Sequence, residues 1–300
     1  MLQDKSVGFI GFGEVASVYG RLLTEKGWRV FVYDYRFNEG SERGDKKRRK
    51  AKTLGLVPTS ALIDLAKGVS CIFSTVTPSS ALQVARELAQ ILGEGHLLFD
   101  LNSTNPLIKQ QSFQLFRTNG SVYLDGAIMA SPVHSGLSTP IYYSGGLDPG
   151  EIAALAAVMN IRKVGAEIGQ ASAIKMSQSI ITKGLQMLIL EQVMLSSKWG
   201  IQTYVTDNMD QLFDDKSYSY WFNYTLTTNV LHARRRADEM RMVVELLNDS
   251  GLNAGMSEAT CRMLNWLADR RLNDDFNDDS DIAALEVLKR LMGRVKDDHN

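Results

Sequence analysis

Residues 6–16 have the sequence SVGFIGFGEVA, in which five residues typical of a buried strand lead directly into a G-x-G-x-x-A motif. In such a motif Gly11 allows a tight turn, and Gly13 lets a ligand approach the backbone closely. Ala16 is small enough for the following helix, predicted over residues 13–26, to pack on the strand. The N–H groups at the start of this helix, together with the positive end of its dipole, suit phosphate groups. The stretch therefore predicts a Rossmann fold with a dinucleotide site.

A second part of the same fingerprint lies at Asp34, which follows a predicted strand over residues 29–33. A carboxylate at this position accepts hydrogen bonds from ribose hydroxyls and repels a 2′-phosphate, which favours NAD. Arg36 and the basic residues 46–50 could reach a phosphate and favour NADP. We expect NAD or NADP as the cofactor, with the balance towards NAD. The alternative is a structural glycine turn with an ordinary surface aspartate.

Two further loops follow predicted strands, at the sheet edge where open α/β sheets bind ligands. Residues 75–77 and 102–103 offer small hydroxyl and amide side chains suited to the nicotinamide ribose. Turn chemistry alone is the other explanation for such strings. The predicted cofactor-binding residues are Gly11, Phe12, Gly13, Glu14, Val15, Asp34, Tyr35, Arg36, Thr75, Val76, Thr77, Asn102 and Ser103.

Short apolar runs alternate with amphipathic stretches as far as about residue 162. This alternation predicts a doubly wound, mostly parallel α/β sheet with helices on both faces. Residues 171–199 contain no proline and predict one long helix, and only helical signals follow. We therefore predict a Rossmann domain over residues 1–168 and an all-α domain over residues 169–300, joined by the long helix. The remaining predicted strands are 71–76, 96–101, 122–128 and 141–144, and the remaining predicted helices lie near 60–66, 79–92 and 106–118.

The overall composition excludes several functional classes. The 300 residues are 44% hydrophobic and carry a net charge of −1, which gives no reason to expect a nucleic acid or an anionic membrane as partner. Cys71 and Cys261 show no metal-ligand spacing, so neither a metal nor a disulfide framework is expected. The N-terminus leads straight into a strand rather than a signal peptide, and we expect a cytoplasmic protein. The charged runs 43–52 and 269–281 are interpreted as solvated faces or loops.

Four features occur in a characteristic order: the glycine motif, the loop 100–106, the segment 125–131, and Gly165 and Gly169 followed by Lys175. This order resembles the β-hydroxyacid dehydrogenase family, which includes 6-phosphogluconate and 3-hydroxyisobutyrate dehydrogenases. The resemblance covers essentially the whole chain, and residues 232–240 resemble a phosphogluconate-dehydrogenase-like branch. It implies a homodimer and a small, anionic hydroxy-acid substrate.

The resemblance also implies that Lys175 is the general acid/base at the start of the interdomain helix. Oxidation of an alcohol removes a hydride from carbon and a proton from oxygen, and the proton needs a base within hydrogen-bond reach. A desolvated lysine can have its pKa lowered towards neutrality for this task. The alternative is a surface lysine near a helix start.

The chain departs from the family pattern at the substrate site. The family's carboxylate-binding serine and glycines correspond to Met129, Ala130 and Ser131, and its helix asparagine corresponds to Ser179, beside Gln178. A functional role for the arginines of a later helix would be a bidentate contact to a substrate anion; an internal ion pair with a glutamate is equally open. The predicted substrate-binding residues are Met129, Ala130, Ser131, Gln178, Ser179, Arg235, Arg236 and Glu239.

The sequence therefore predicts an NAD(P)-dependent oxidoreductase that transfers a hydride between the cofactor and a small hydroxy acid or its keto form. A reductase of imines on the same scaffold is the first alternative. A nucleotide-binding protein without turnover is the second.

Overall fold

The computed structural model describes residues 5–276 and 283–297. The first part of the chain forms one eight-stranded sheet with the strand order β3-β2-β1-β4-β5-β6-β7-β8, in which β6 and β7 pair antiparallel and the other neighbouring strands pair parallel. This confirms the predicted Rossmann-type parallel sheet. The strands are β1 (Ser6–Ile10), β2 (Arg29–Tyr33), β3 (Val57–Pro58), β4 (Cys71–Ser74), β5 (Leu97–Asp100), β6 (Val122–Ile128), β7 (Ile141–Ser144) and β8 (Ile161–Gly165).

Both faces of the sheet are covered by helices. Successive side chains of β1 point to opposite faces, so Phe9 lies in one apolar cluster and Ile10 in another. A strand buried on both faces is a continuous apolar run, which is why β1 and β4 show no polar alternation. The helices of this part of the chain are α1 (Glu14–Glu25), α2 (Glu42–Thr53), α3 (Leu62–Gly68), α4 (Ala81–Ala89), α5 (Pro106–Phe116), α6 (Pro132–Ser135) and α7 (Ala153–Ala156).

The long helix predicted over residues 171–199 is α8 (Gln170–Lys198). The helical signals after it correspond to α9 (Gln202–Phe213), α10 (Tyr218–Asp249), α11 (Gly255–Asp269) and α12 (Ala284–Asp297). Within this part, α10 packs on α11, and Val230, Leu272 and Val287 form a small apolar core.

The chain divides into two compact units, Met1–Ile180 and Ile181–Asn300. The predicted domain boundary at residue 168 lies at the start of α8, whereas the units divide within that helix. The reason is that the first turn of α8 is hydrogen-bonded to the sheet through Asp125, so it belongs to the first unit. The first unit is the sheet with its helices, and the second is entirely helical among the residues that are described.

Some local features differ from the sequence-based predictions. The basic run 43–52 forms most of α2, whose first turn is capped by the Ser41 hydroxyl accepting from the N–H of Gly44. The short strand β3 and the edge strand β8 were not predicted. The acidic run 269–281 lies outside the described residues from position 277 onwards. No helix among the described residues is long and apolar enough to span a bilayer.

Candidate functional site

The turn between β1 and α1 leaves open space above its backbone. Gly11 has a φ of +91°, and a Cβ there would lie 2.6 Å from the carbonyl oxygen of Thr75, so this position requires glycine. Gly13 is the N-cap residue of α1, where no side chain caps the helix, and a Cβ at Gly13 would meet nothing within 4 Å. The start of α1 therefore has no side-chain cap and no atom close to a Cβ at Gly13, which are features of helix N-termini that bind phosphate groups.

Asp34 lies at the end of β2, beside this turn, and its carboxylate is engaged within the protein. Its Oδ2 accepts from the N–H of Phe12 at 2.8 Å, and its Oδ1 accepts from the N–H of Arg36 at 3.1 Å. Lys47 of α2 donates to Oδ2 in an ion pair. The Arg36 guanidinium lies over the ring of Tyr35 at 5.0 Å. The sequence placed Lys47 within a basic run that could reach a phosphate, but spacing alone could not show its contact with Asp34.

A cavity of about 200 Å³ lies at the carboxyl end of the strands. Its lining includes residues predicted to bind the cofactor, one residue predicted to bind the substrate, and Lys175, the predicted general acid/base. Its lining consists of Val15, Thr75, Val76, Pro78, Leu101, Asn102, Ser103, Ile128, Ala130, Pro132 and Lys175. Another cavity, of about 360 Å³, lies within the second unit and is lined by none of the predicted site residues.

Lys175 contributes the ammonium group of this cavity. It lies in the second turn of α8, and its Nζ donates to the Oγ of Ser103 at 2.8 Å. Ser103 follows β5, so a loop of the sheet and the long helix meet at this contact. The pair places one amine and one hydroxyl together at the wall of the cavity, an arrangement that proton transfer to or from a ligand would require.

The loops beside Lys175 are held by side chains that bond inside the protein. Asn102 donates to the Ser74 hydroxyl at 2.9 Å and accepts from the N–H of Val76 at 2.7 Å. The Thr75 hydroxyl donates to the carbonyl oxygen of Gly11 at 2.9 Å, and the Thr77 hydroxyl contacts Ser79 and Ser80. These residues lie where the sequence predicted, but their polar atoms fix the loops. Their contact with a cofactor stays a prediction.

A buried ionic cluster lies next to the site, and no pattern in the sequence predicted it. The Nζ of Lys109, a fully buried side chain, lies 2.8 Å from Asp100 Oδ1 and 3.6 Å from Asp125 Oδ1. Tyr123 donates to Asp100 Oδ2 at 2.7 Å. Burial raises the pKa of Tyr123 well above 10.0, and the neighbouring charge of Asp100 raises it further. Buried charges are tolerated when they are paired in this way.

The same cluster fixes the start of α8. Asp125 Oδ2 accepts from the N–H of Gly169 at 3.1 Å, and from both the N–H and the hydroxyl of Ser172 at 3.0 and 3.1 Å. The Ser144 hydroxyl adds a donor at 3.2 Å. A carboxylate at a helix N-terminus satisfies N–H groups that have no partner within the helix. Asp125 and Gly169, separate features in the sequence, therefore act together to place the helix that carries Lys175.

The predicted substrate loop offers few polar groups to the cavity. The N–H of Met129 donates to the carbonyl oxygen of Pro140 at 2.9 Å, and of residues 129–131 only Ala130 lines the cavity. The Ser179 hydroxyl donates to the carbonyl oxygen of Lys175 at 2.9 Å, and Gln178 is exposed. Their contact with a substrate stays a prediction.

The charged residues predicted on the later helix lie on α10, in the second unit. Arg235 pairs with Glu239 four residues on, both largely exposed, which is the internal ion pair left open by the sequence. Arg236 instead contacts Thr228 and Asn229 on the same helix. These contacts give no indication that Arg235 or Arg236 binds a substrate anion.

The sheet, the glycine turn and the helical second unit define a class of protein, the Rossmann-type fold shared with NAD(P)-dependent oxidoreductases. A model described as a domain of unknown function (DUF1932) matches residues 197–267. The conserved protein MTH1747, described as structurally similar to 3-hydroxyacid dehydrogenases, is 30% identical, with 89% of this chain and 98% of that chain covered and a TM-score of 0.58. The chain belongs to the family of MTH1747, whose function is unknown.

The chain is also similar to an uncharacterised protein and to imine reductases. An uncharacterised 28.5 kDa protein from Methanothermus fervidus is 26% identical over 258 residues, which cover 86% of this chain and 96% of that protein. The imine reductase from Myxococcus stipitatus in complex with NADP+ is 20% identical, with a TM-score of 0.73, and covers 88% of this chain and 94% of its own. A variant of that reductase is in complex with NAD+. At this identity the imine reductase is evidence for the fold alone.

Proposed function

We propose that the chain is an NAD(P)-dependent oxidoreductase in which Lys175 is the general acid/base. The observation that carries the proposal is the position of the Lys175 ammonium, 2.8 Å from Ser103 in the wall of a cavity that also includes Val15 of the first turn of α1. A nicotinamide cofactor, when bound, supplies or accepts the hydride. The residues fit it, because the glycine turn and the uncapped start of α1 leave room for its phosphates.

The protein's own part in the reaction is to hold the substrate and to move one proton. In the oxidative direction, Lys175 acts in its neutral amine form, and its Nζ takes the proton from the substrate hydroxyl and becomes an ammonium as the hydride leaves the carbon. In the reductive direction it gives the proton to the developing alkoxide oxygen. Ser103, bonded to Nζ, holds the side chain towards the cavity. Leu101, Ile128 and Pro132 contribute apolar side chains to the lining of the same cavity.

The substrate we propose first is a small hydroxy acid or its keto form, in line with the resemblance to hydroxyacid dehydrogenases. A second candidate is the reduction of a C=N bond. It is favoured by the substrate loop, in which Met129 replaces the family's carboxylate-binding serine and Ala130 lines the cavity, and by the fold shared with imine reductases. In that reaction Lys175 would face a nitrogen rather than an oxygen.

The test is a turnover assay with the purified protein. We expect a change at the nicotinamide absorbance band with a panel of small hydroxy acids, or, for the second candidate, with a panel of imines. The Lys175→Ala variant should be slower by about 10²–10⁴-fold. An unchanged rate in this variant would exclude the mechanism. Tight cofactor binding without turnover on either panel would favour the third candidate, a nucleotide-binding protein.

We also propose that the chain forms a homodimer through α8. Between residues 181 and 190, large apolar side chains are exposed on all sides of this helix. Such a helix is normally buried, so we expect other protein surfaces to pack against it. A second copy is the occupant we propose, because two copies of one helix can cover each other about a twofold axis. The exposed residues of this stretch are Ile181, Leu185, Met187, Leu188, Ile189 and Leu190.

A further inference from the structure

The carboxylate that would discriminate between NAD and NADP is neutralised by a neighbouring ammonium. Asp34 and Lys47 form an ion pair in which the side chains are 5% and 26% exposed. A free carboxylate at the end of β2 repels the 2′-phosphate of NADP through its charge. In the pair, the net charge at this position is zero, so this electrostatic reason for rejecting the phosphate is removed.

The hydrogen bonds of Asp34 also argue against a site that is specific for NAD. A carboxylate has about four acceptor positions, and the N–H groups of Phe12 and Arg36 and the ammonium of Lys47 occupy three of them. Asp34 therefore has little remaining capacity for the paired ribose hydroxyls that an NAD-specific site binds. An ammonium has three N–H donors, so Lys47 keeps donors for an anion while it contacts Asp34.

The position of Lys47 is fixed by the packing of its helix. A Cβ on Gly44 would lie 2.1 Å from the carbonyl oxygen of Arg36, so α2 packs against the turn after β2 at a position where only glycine fits. Lys47 lies one helical turn after Gly44, which directs it to the end of β2. Arg36 lies in the same turn, with its guanidinium 3.7 Å from Glu39. Lys47 is therefore the cation that contacts the Asp34 carboxylate, and Arg36 is a second cation of the same turn, paired with Glu39.

We infer that Lys47, with Arg36, forms a 2′-phosphate site and that the chain binds NADP(H) in preference to NAD(H). The inference rests on the proposed function only in assuming that the glycine turn binds a nicotinamide dinucleotide. It reverses the balance towards NAD that Asp34 suggests when it is considered alone. Lys47 therefore determines the specificity for NADP(H), because it offsets the charge of Asp34 and donates to the 2′-phosphate.

The experiment is a binding titration of the full chain, which needs no substrate. NADPH and NADH are titrated separately, and 2′,5′-ADP and ADP serve as probes that differ only in the position of one phosphate. We expect NADPH to bind at least about tenfold more tightly than NADH, as a charge-assisted contact to phosphate implies. Raising the salt concentration should weaken NADPH binding more than NADH binding.

Two variants localise the effect. Lys47→Met keeps most of the apolar stem and removes the charge, and should weaken NADPH binding by about tenfold or more with a smaller effect on NADH. Lys52→Met makes the same change at an exposed lysine near the end of the same helix, outside residues 46–50, and as the matched control should leave both affinities unchanged. Equal or tighter binding of NADH by the wild-type chain would overturn the inference and leave the proposed function standing. Failure to bind either dinucleotide would overturn both.

Discussion

Asp125 Oδ2 accepts two hydrogen bonds from Ser172, one from its backbone N–H at 3.0 Å and one from its hydroxyl at 3.1 Å. These bonds join the core of the sheet to the first turn of α8. Lys175 lies three residues further along the same helix, so the direction of its side chain depends on a carboxylate that touches neither the cavity nor its contents. On the other side, the same carboxylate faces the buried ammonium of Lys109.

The first prediction concerns this carboxylate. Asp125→Asn should lower the free energy of unfolding by about 3–5 kcal/mol, because it leaves Lys109 with one buried counter-charge fewer and cannot accept the same set of donors. Urea denaturation measures the loss. Ser144→Ala removes one of the four donors to Asp125 and should cost only about 1 kcal/mol. Equal losses in the two variants would show that the charge of Asp125 is not what stabilises the cluster.

The second prediction concerns the contact between Ser103 and Lys175. Ser103→Ala should lower kcat by about fivefold, since one hydrogen bond of roughly 1 kcal/mol that orients the ammonium is lost. The loss should be well below that of Lys175→Ala, because the proton-transfer group itself remains. Steady-state kinetics on the best substrate of the panel measure both. Ser177→Ala, an exposed serine on a different face of α8, is the control and should not alter the rate.

Local sequence was sufficient to predict the part of the fold around the glycine turn. The strand, the turn and α1 follow from residues close together in the chain, and β1, β2, β6 and β7 have the predicted bounds. The strand β3 was missed because two residues, Val57 and Pro58, carry no periodicity. The basic run was interpreted as a solvated face or loop, and most of its charged residues are exposed on α2, a helix whose pattern the charges hid in the sequence.

The parts of the site that were missed depend on contacts between distant residues. Lys109 looked like an ordinary helical lysine, and only the fold shows that it is buried between Asp100 and Asp125. Likewise, several lysines and arginines in the run 43–52 were equivalent in the sequence, and the packing of α2 selects Lys47 for Asp34. Spacing along the chain predicts which face of a helix a residue occupies, but not what that face meets.

The third prediction tests the homodimer. The wild-type chain should sediment with twice the chain mass of 33.3 kDa, because the apolar surface of α8 is then covered. Leu188→Glu, at a position where the side chain is 41% exposed in the single chain, should shift the protein towards the monomer. Lys67→Glu, at an exposed lysine of α3, introduces a carboxylate away from α8 and should leave the dimer intact. A wild-type chain that is monomeric at high concentration would contradict the proposal.

The fourth prediction concerns alkaline pH. Burial, followed by the charge of Asp100, raises the pKa of Tyr123 well above 10.0 in the folded chain, whereas the unfolded chain titrates near its ordinary value. The unfolded state therefore loses this proton first, so the contribution of Tyr123 to stability is complete below pH 10 and decreases as the pH rises above it. The free energy of unfolding should fall above about pH 10. Tyr123→Phe should be less stable at neutral pH, yet show a shallower fall. Tyr35→Phe, at an exposed tyrosine, should leave the slope unchanged.

The fifth prediction uses the two thiols as reporters of unfolding. Burial raises the pKa of the Cys71 thiol to about 12, and this residue in β4 is fully enclosed, whereas Cys261 on α11 is partly exposed. Because the thiolate is the reactive form, Cys71 should resist alkylation at pH 8 until the sheet opens. In the Cys261→Ser variant, labelling should therefore follow the same urea transition as the loss of helical circular dichroism. In the Cys71→Ala variant, Cys261 should instead be alkylated without denaturant. Rapid labelling of the Cys261→Ser variant in its folded state would mean that the centre of the sheet opens far more often than its packing implies.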